Sequence, residues 1–194
     1  QTVKFITLGC KVNQYETQGM REILKKSGIQ SLPASAEGNV NYIVVNTCTV
    51  TADADRESRY WIRRARREHP GARIIVTGCG VERNHSEFES LKEVDLVLKN
   101  HEKAQIVNRL NTGCALPQIQ ETSQEVNPKH IFTPLSISET EGGGRAFVKI
   151  QDGCNHACSF CKVGLGRGRS RSRNLADIIE EVKRLRDSGY REIV

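Results

Sequence analysis

The stretch Gly153 to Cys161, GCNHACSFC, carries three thiols in a C-x3-C-x2-C array at Cys154, Cys158 and Cys161. Thiolates are the ligands that hold iron-sulfur clusters, and a loop this short lets all three reach one soft metal centre. A cubane of four irons takes four ligands, so three thiolates leave one iron open to a group from outside the protein. Two other chemistries use the same atoms: a zinc ion completed by His156, or reduced structural thiols. Zinc ligands usually come as two C-x2-C pairs, or as cysteines matched with an H-x3-5-H pair, and neither pattern is present. The array therefore points to a cluster with an open site.

The elements that would position these residues read as alternating strands and helices. Val3 to Leu8 is a short apolar run ending at Gly9 and Cys10; Tyr42 to Asn46 ends at Thr47 and Cys48; Ile74 to Thr77 ends at Gly78 and Cys79. Helical periodicity follows each, over Gln14 to Lys26 with Gly28 as its stop, over Asp53 to Glu68 closed by Pro70 and Gly71, and over His101 to Leu110 after a further strand, Asp95 to Leu98. This alternation predicts an α/β domain with a parallel sheet covered on both faces, of flavodoxin-like or Rossmann-like type. In such a sheet all strand C-termini lie along one edge, where ligands bind, so Cys10, Cys48 and Cys79 would converge although they are far apart in sequence. They could form a second metal site, or simply be three small buried hydrophobes. Cys114, after Gly113, has no partner in this scheme and reads as an ordinary thiol.

Residues 112 to 144 have no sustained period and carry Pro117, Pro128, Pro134 and the glycines 142 to 144, the marks of a linker. The expected organisation is a first domain over 1–112, a linker over 113–144 and the start of a second domain over 145–194. In the last of these, Ala146 to Gln151 reads as a strand leading into the cysteine loop. A helix capped by Asn174 or Asp177 follows, with Leu175, Ile178, Ile179, Val182 and Leu185 as its apolar face, and Glu192 to Val194 opens the next strand. Between loop and helix lies GLGRGRSRSR. Its Arg167, Arg169, Arg171 and Arg173 alternate with small residues as a cationic strip suited to phosphates, or as a solvated loop. Arg63, Arg64, Arg66 and Arg67 read as a solvated helix face, with Tyr60 and Trp61 packing beside it.

Of 194 residues, 37% are hydrophobic and 27% charged, the balance of a soluble globular chain with one full domain and part of another. No run of about 18 apolar residues is present, and QTVKFITLGC lacks a basic-then-apolar leader, so membrane insertion and secretion are disfavoured. A reducing, cytoplasmic setting makes seven cysteines metal ligands or free thiols rather than disulfides. The net charge of +6 is what a polyanionic partner would meet.

Together, the strand-borne GCNHACSFC, LGCKVNQYE at the N-terminus, NTCTVT at Asn46 to Thr51, TGC at Thr77 to Cys79 and RGRSRSR after the cysteine loop resemble the radical S-adenosylmethionine methylthiotransferase family. Their order and spacing span nearly the whole chain. The resemblance implies that Cys154, Cys158 and Cys161 hold a [4Fe-4S] cluster whose open iron takes S-adenosylmethionine, with Phe160 at the aromatic position of the signature. It implies that Cys10, Cys48 and Cys79 hold an auxiliary [4Fe-4S] cluster. The family's reaction methylates sulfur associated with the auxiliary cluster, cleaves a second S-adenosylmethionine to a 5'-deoxyadenosyl radical, and adds a methylthio group to the carbon from which that radical takes hydrogen. Such a carbon offers no acidic proton, so no general base is assigned and the protein supplies positioning.

CKVNQYE and NTCTVT resemble the branch acting at carbon 2 of N6-threonylcarbamoyladenosine at tRNA position 37, rather than the branches for N6-isopentenyladenosine or a ribosomal-protein aspartate. Partners implied are the tRNA anticodon loop and an electron donor such as a flavodoxin or ferredoxin, with no membrane and a monomeric state. Two features depart from the family. KVGLGRG follows Cys161 where the family reads roughly IIPYARG, and most of the partial (β/α) barrel and the small RNA-binding domain are absent, so a fragment inactive alone is expected. A zinc-dependent RNA-binding module would use the same cysteines and arginines. A flavodoxin-like nucleotide or cobalamin binder would need a phosphate-cradling G-x-G-x-x-G after strand one, which LGCKVNQYE lacks.

Overall fold

The computed structural model describes residues 1–33, 35, 38–111, 132, 135–140 and 144–194. In chain order the first part comprises β1 (Thr2–Thr7), α1 (Lys11–Lys26), β2 (Gln30–Ser31), β3 (Tyr42–Thr47), α2 (Ala52–Glu68), β4 (Arg73–Gly78), α3 (Cys79–Arg83), α4 (His85–Glu89), β5 (Leu96–Val97), a 3-10 turn (Asn100–Gln105) and α5 (Ile106–Asn111). Five strands form one parallel sheet in the order β2-β1-β3-β4-β5. This is the flavodoxin-like order, in which all strands are parallel and the order of strand addition reverses between β1 and β3. The expected parallel sheet is thus present.

Both faces of the sheet are buried, and the side-chain alternation of period two sorts the residues between them. Val3, Phe5, Val44 and Ile75 face Met20 and Leu24 of α1 and Ile106 and Leu110 of α5. Ile43, Val45, Ile74 and Val76 face Ile62 and Ala65 of α2 and Val81 and Phe88 of α3 and α4. Each such side chain contributes about 1.5–3 kcal/mol on burial, so two continuous apolar layers fix the strands whose ends carry the cysteines.

Two boundaries differ from the sequence reading. Helix α1 starts at Lys11 rather than Gln14, because Cys10 already serves as N-cap and its carbonyl accepts from Gln14 N at 3.2 Å. Lys11, Val12 and Asn13 show no apolar period, so the first turn was not visible. The helix expected over His101 to Leu110 opens as 3-10, where Glu102 accepts from Lys99 N (2.8 Å) and Glu82 from Asn100 N (2.6 Å), before becoming α5.

The second part comprises β6 (Arg145–Ala146), β7 (Gln151–Asp152), α6 (Val163–Arg167), β8 (Arg171–Ser172), α7 (Leu175–Asp187) and β9 (Glu192–Ile193). The single strand expected over Ala146 to Gln151 is divided, because the chain changes partner along it. Its first half runs parallel with β9 and its second antiparallel with β8. Asn174, of the two expected caps, starts α7 by accepting from Ala176 N at 2.8 Å. Of the expected apolar face only Leu185 is buried, and Leu175 is 70% exposed.

Within the expected linker, residues 135–140 are packed. Leu135 and Ile137 are buried against Tyr15 of α1, Ala146 and Leu185, and Ser138 N donates to Glu22 at 2.8 Å. Most of the remaining linker, with Cys114, lies outside the described residues.

Candidate metal centre

Each of the first three cysteines sits where a strand gives way to a helix. Cys10 caps α1 with extended backbone and makes no side-chain capping hydrogen bond, so its thiol is not consumed by the helix. Cys48 follows β3, and Cys79 opens α3 directly after β4. Thr47 and Gly78 pair in register, which puts Cys48 and Cys79 one residue beyond the same rung. The Thr7–Asn46 rung likewise sets Gly9 level with Cys48. A Cβ on Gly9 would lie 2.5 Å from Cys48 Sγ, and Gly9 has φ +87°, so only glycine allows this approach. Cys10 is exposed, while Cys48 and Cys79 are buried. Cys10 and Cys48 flank the switch between β1 and β3, the position at which doubly wound sheets bind ligands.

The second set lies on a loop anchored at both ends. Gly153 (φ +75°) runs so close to Arg169 that a Cβ would meet its carbonyl oxygen, and Cys154 N donates to Gly168 O at 3.0 Å. His156 N donates to Cys154 Sγ at 3.5 Å, and Cys161 N to Cys158 O at 3.1 Å. Cys158 and Cys161 are exposed, and Phe160 between them is 88% exposed. The loop then enters α6, and α6 packs on α3: a Cβ on Gly166 would stand 3.0 Å from Cys79 Cβ, while Gly166 O accepts from Asn100 at 3.1 Å. One helix contact thereby links the segment that follows the second cysteine set to Cys79 of the first.

The six cysteines among the described residues are free thiols. Among the described residues, no three His, Cys, Asp or Glu side chains are drawn close enough to enclose a single metal ion. A cubane spreads its thiolates more widely than one ion does, and three soft thiols with a free edge suit it.

Beneath both sets lies a buried ion network that joins the two parts of the chain. Glu16 of α1 accepts from Lys103 (2.5 Å), Lys149 (2.6 Å) and Arg167 (2.6 and 3.1 Å). Arg167 also donates to Asn13 Oδ1 (2.7 Å) and to Asp152 (3.1 Å), and Lys149 donates to Asp152 at 2.8 Å. Burial alone would raise the Glu16 carboxyl, but the Lys103, Arg167 and Lys149 charges outweigh it and hold it well below the usual carboxylate range. Asp152 is likewise lowered, burial being overcome by Lys149 and Arg167. Burial pushes the Cys79 thiol up, against the opposing pull of Arg167 and Lys103.

The four alternating arginines divide. Arg167 is in this network, Arg171 reaches Asp152 at 3.4 Å, and Arg173 pairs with the buried Glu181, which also accepts from Tyr15 OH at 3.0 Å. Arg169 is exposed. Burial and the Glu181 charge raise the Tyr15 hydroxyl well above its ordinary value, so it stays a donor.

Glu16, Lys103, Lys149, Asp152 and Glu181 were not anticipated from the sequence. A signal was present: Glu16 falls in register with Met20 and Ile23, Lys103 with Ile106 and Leu110, and Glu181 with Leu185. A charge on an apolar stripe implies a buried counter-charge.

The fold and site define an α/β domain with three cysteines at the C-terminal ends of its parallel strands, one of them, Cys79, packed against the helix that follows a second thiol-bearing loop. The chain belongs to the uncharacterized protein family UPF0004, whose model matches residues 2–99, and residues 148–194 match the radical SAM superfamily. Over its full length it is 35% identical to the threonylcarbamoyladenosine tRNA methylthiotransferase MtaB of Bacillus subtilis and 37% identical to that of Chlamydia pneumoniae. It is 32% identical, over 98% of its length, to the ribosomal protein uS12 methylthiotransferase RimO of Sorangium cellulosum. The chain spans 42% of the length of the first two relatives and 39% of the third. Among the described residues no helix is long and apolar enough to cross a membrane.

Proposed function

We propose that this chain is the cluster-bearing part of a radical S-adenosylmethionine methylthiotransferase acting on N6-threonylcarbamoyladenosine in tRNA. The observation that supports it best is the seating of α6 on Cys79, which brings the loop of Cys154, Cys158 and Cys161 against the set Cys10, Cys48 and Cys79. A methylthio transfer needs a radical source and a sulfur-bearing site side by side, and this contact supports that arrangement. The substrate assignment follows the relatives at 35–37% identity, which are named for that nucleoside.

In this reading Cys154, Cys158 and Cys161 hold one [4Fe-4S] cluster and Cys10, Cys48 and Cys79 a second. The bound clusters supply coordination of S-adenosylmethionine and one-electron chemistry, fed by a donor of the flavodoxin or ferredoxin kind. The chain's own residues hold and orient. Gly9 lets Cys48 approach the β1 edge, and the Cys154 to Gly168 hydrogen bond fixes the root of the loop. Phe160 lies in the open beside the thiols as an apolar surface for the cofactor. Arg169, the exposed arginine of the four, is offered to tRNA phosphate near the anticodon loop. Tyr15, Glu181 and Arg173 position the segment behind it.

Anaerobic reconstitution with iron and sulfide tests the cofactors: about eight iron atoms per chain are expected for two cubanes, and a colourless zinc protein would overturn the reading. The substrate is tested by mass spectrometry of nucleosides from a strain lacking the full gene. Loss of the methylthio group from N6-threonylcarbamoyladenosine is expected. Loss from N6-isopentenyladenosine instead, or from a ribosomal protein, would overturn the assignment.

A further inference from the structure

The buried network carries charge that the described residues do not balance. Lys103, Lys149 and Arg167 are three cations against two carboxylates, Glu16 and Asp152, and all five side chains are almost completely shielded from solvent. Unbalanced charge in a low-dielectric interior is costly unless an opposite charge stands nearby. The network lies against the first cysteine set. Arg167 is the residue after Gly166, which packs on Cys79, and Lys103 and Glu16 also exert their charges on that thiol. Lys103 further touches Asn46 at 3.3 Å, two residues before Cys48.

We propose that the Lys103–Arg167–Glu16 network is an electrostatic counterweight that sets the reduction potential of the cluster held by Cys10, Cys48 and Cys79. The inference rests on the cluster assignment made above. A cubane with a doubly positive core and three thiolates carries one net negative charge, and two after accepting one electron. No bond or proton need change, so the added negative charge is what the surroundings must stabilise. Net charge and burial are among the factors that set such potentials. A cationic excess behind Cys79 favours the reduced state, and Glu16 holds that excess in check. The three are positioning and tuning residues, since the ligands in this reading are the cysteines alone.

A purely structural network and a tuning network differ in sign. Removing a cation and removing an anion would damage a structural network alike, whereas they move a potential in opposite directions. The measurement is a reductive titration, with dithionite or a titanium(III) chelate as electron source, followed by electron paramagnetic resonance. The protein is the full chain with Cys154→Ala, Cys158→Ala and Cys161→Ala, so that only the first site is read. Glu16→Gln, which keeps shape and most hydrogen bonds, is expected to shift the midpoint upward, Lys103→Met downward, and Lys103→Arg to restore the parent value. Shifts of the same sign, or a midpoint unchanged in Glu16→Gln, overturn the proposal. Should Lys103→Met fail to fold, the direction of the Glu16→Gln shift decides alone. A triple variant that binds no iron overturns the cluster assignment itself and this inference with it, an outcome distinct from an unshifted midpoint.

Discussion

Replacing Gly9 by alanine tests whether the first cysteine set converges as described. Two separate penalties act at that position. The first is conformational: with φ at +87°, an L side chain in the left-handed region costs about 1–2 kcal/mol. The second is steric. The new Cβ would stand 2.5 Å from Cys48 Sγ and 2.7 Å from its Cβ, and Cys48 is buried and held by the β3 register, so relief requires a shift of the strand end. Overpacking of this kind costs about 1–3 kcal/mol. Gly28 separates the two effects, since it has φ +79° but nothing within 4 Å of a built Cβ. Gly28→Ala is therefore expected to lose only the first contribution, and Gly9→Ala about 2–5 kcal/mol in total. Urea denaturation of both variants under anaerobic conditions, with midpoints compared at constant slope, reads the difference directly. If the two lose the same amount to within about 0.5 kcal/mol, Gly9 and Cys48 are not in contact and the argument for convergence fails.

Two further outcomes follow from the buried charges. Because the Glu16 and Asp152 carboxyls are depressed in the folded state, their contribution is complete above the ordinary glutamate value of 4.5 and is lost as pH falls through the folded values beneath it. Thermal midpoints recorded from pH 6 downward should fall steeply below about pH 4.5. Glu16→Gln should flatten that fall, and an unchanged slope would show that Glu16 is not the group responsible. The arginine strip should divide by role. On the function proposed above, Arg169→Ala is expected to weaken tRNA binding and reduce the salt slope by about one while leaving stability unchanged. Arg173→Ala, which leaves Glu181 buried without its cation, should cost about 3–5 kcal/mol of stability. Equal effects of both on stability would remove the distinction.

The strands and their cysteines were legible because both signals are local. A β-branched run such as YIVVN identifies a strand by itself, and a cysteine just past it needs only the topology of a parallel sheet to be placed at the common edge. The observed register, with Thr47 opposite Gly78, adds that Cys48 and Cys79 each follow the same rung by one residue. What sequence reading could not supply was the fate of Ala146 to Gln151, because the break in that strand depends on which partner each half meets, β9 or β8. The same limit applies to the arginines. Alternation with small residues describes an extended strip equally well whether its charges face solvent or carboxylates, and Glu16, Asp152 and Glu181 lie 8 to 151 positions from the arginines they neutralise in a sequence that gives no pairing rule.

Those pairings nonetheless explain why the strip alternates at all. On an extended segment, residues two apart point to the same side, so Arg169 can face outward while Arg167, Arg171 and Arg173 reach buried carboxylates only if the segment bends between them, and glycine at 168 with φ +72° provides the bend. Arg169 is then left on the outer side of that turn, exposed, while its own carbonyl lies against Gly153 at the root of the cysteine loop. A single turn thus aims three arginines at the buried carboxylates and one at solvent, beside the thiols. Gly168→Ala should disturb both at once, loosening the Cys154 to Gly168 hydrogen bond and misdirecting Arg169, whereas Arg169→Ala alone should leave the cysteine loop unchanged. Iron content of the two variants distinguishes these cases: loss in Gly168→Ala with retention in Arg169→Ala is expected, and retention in both would show that the turn does not hold the loop.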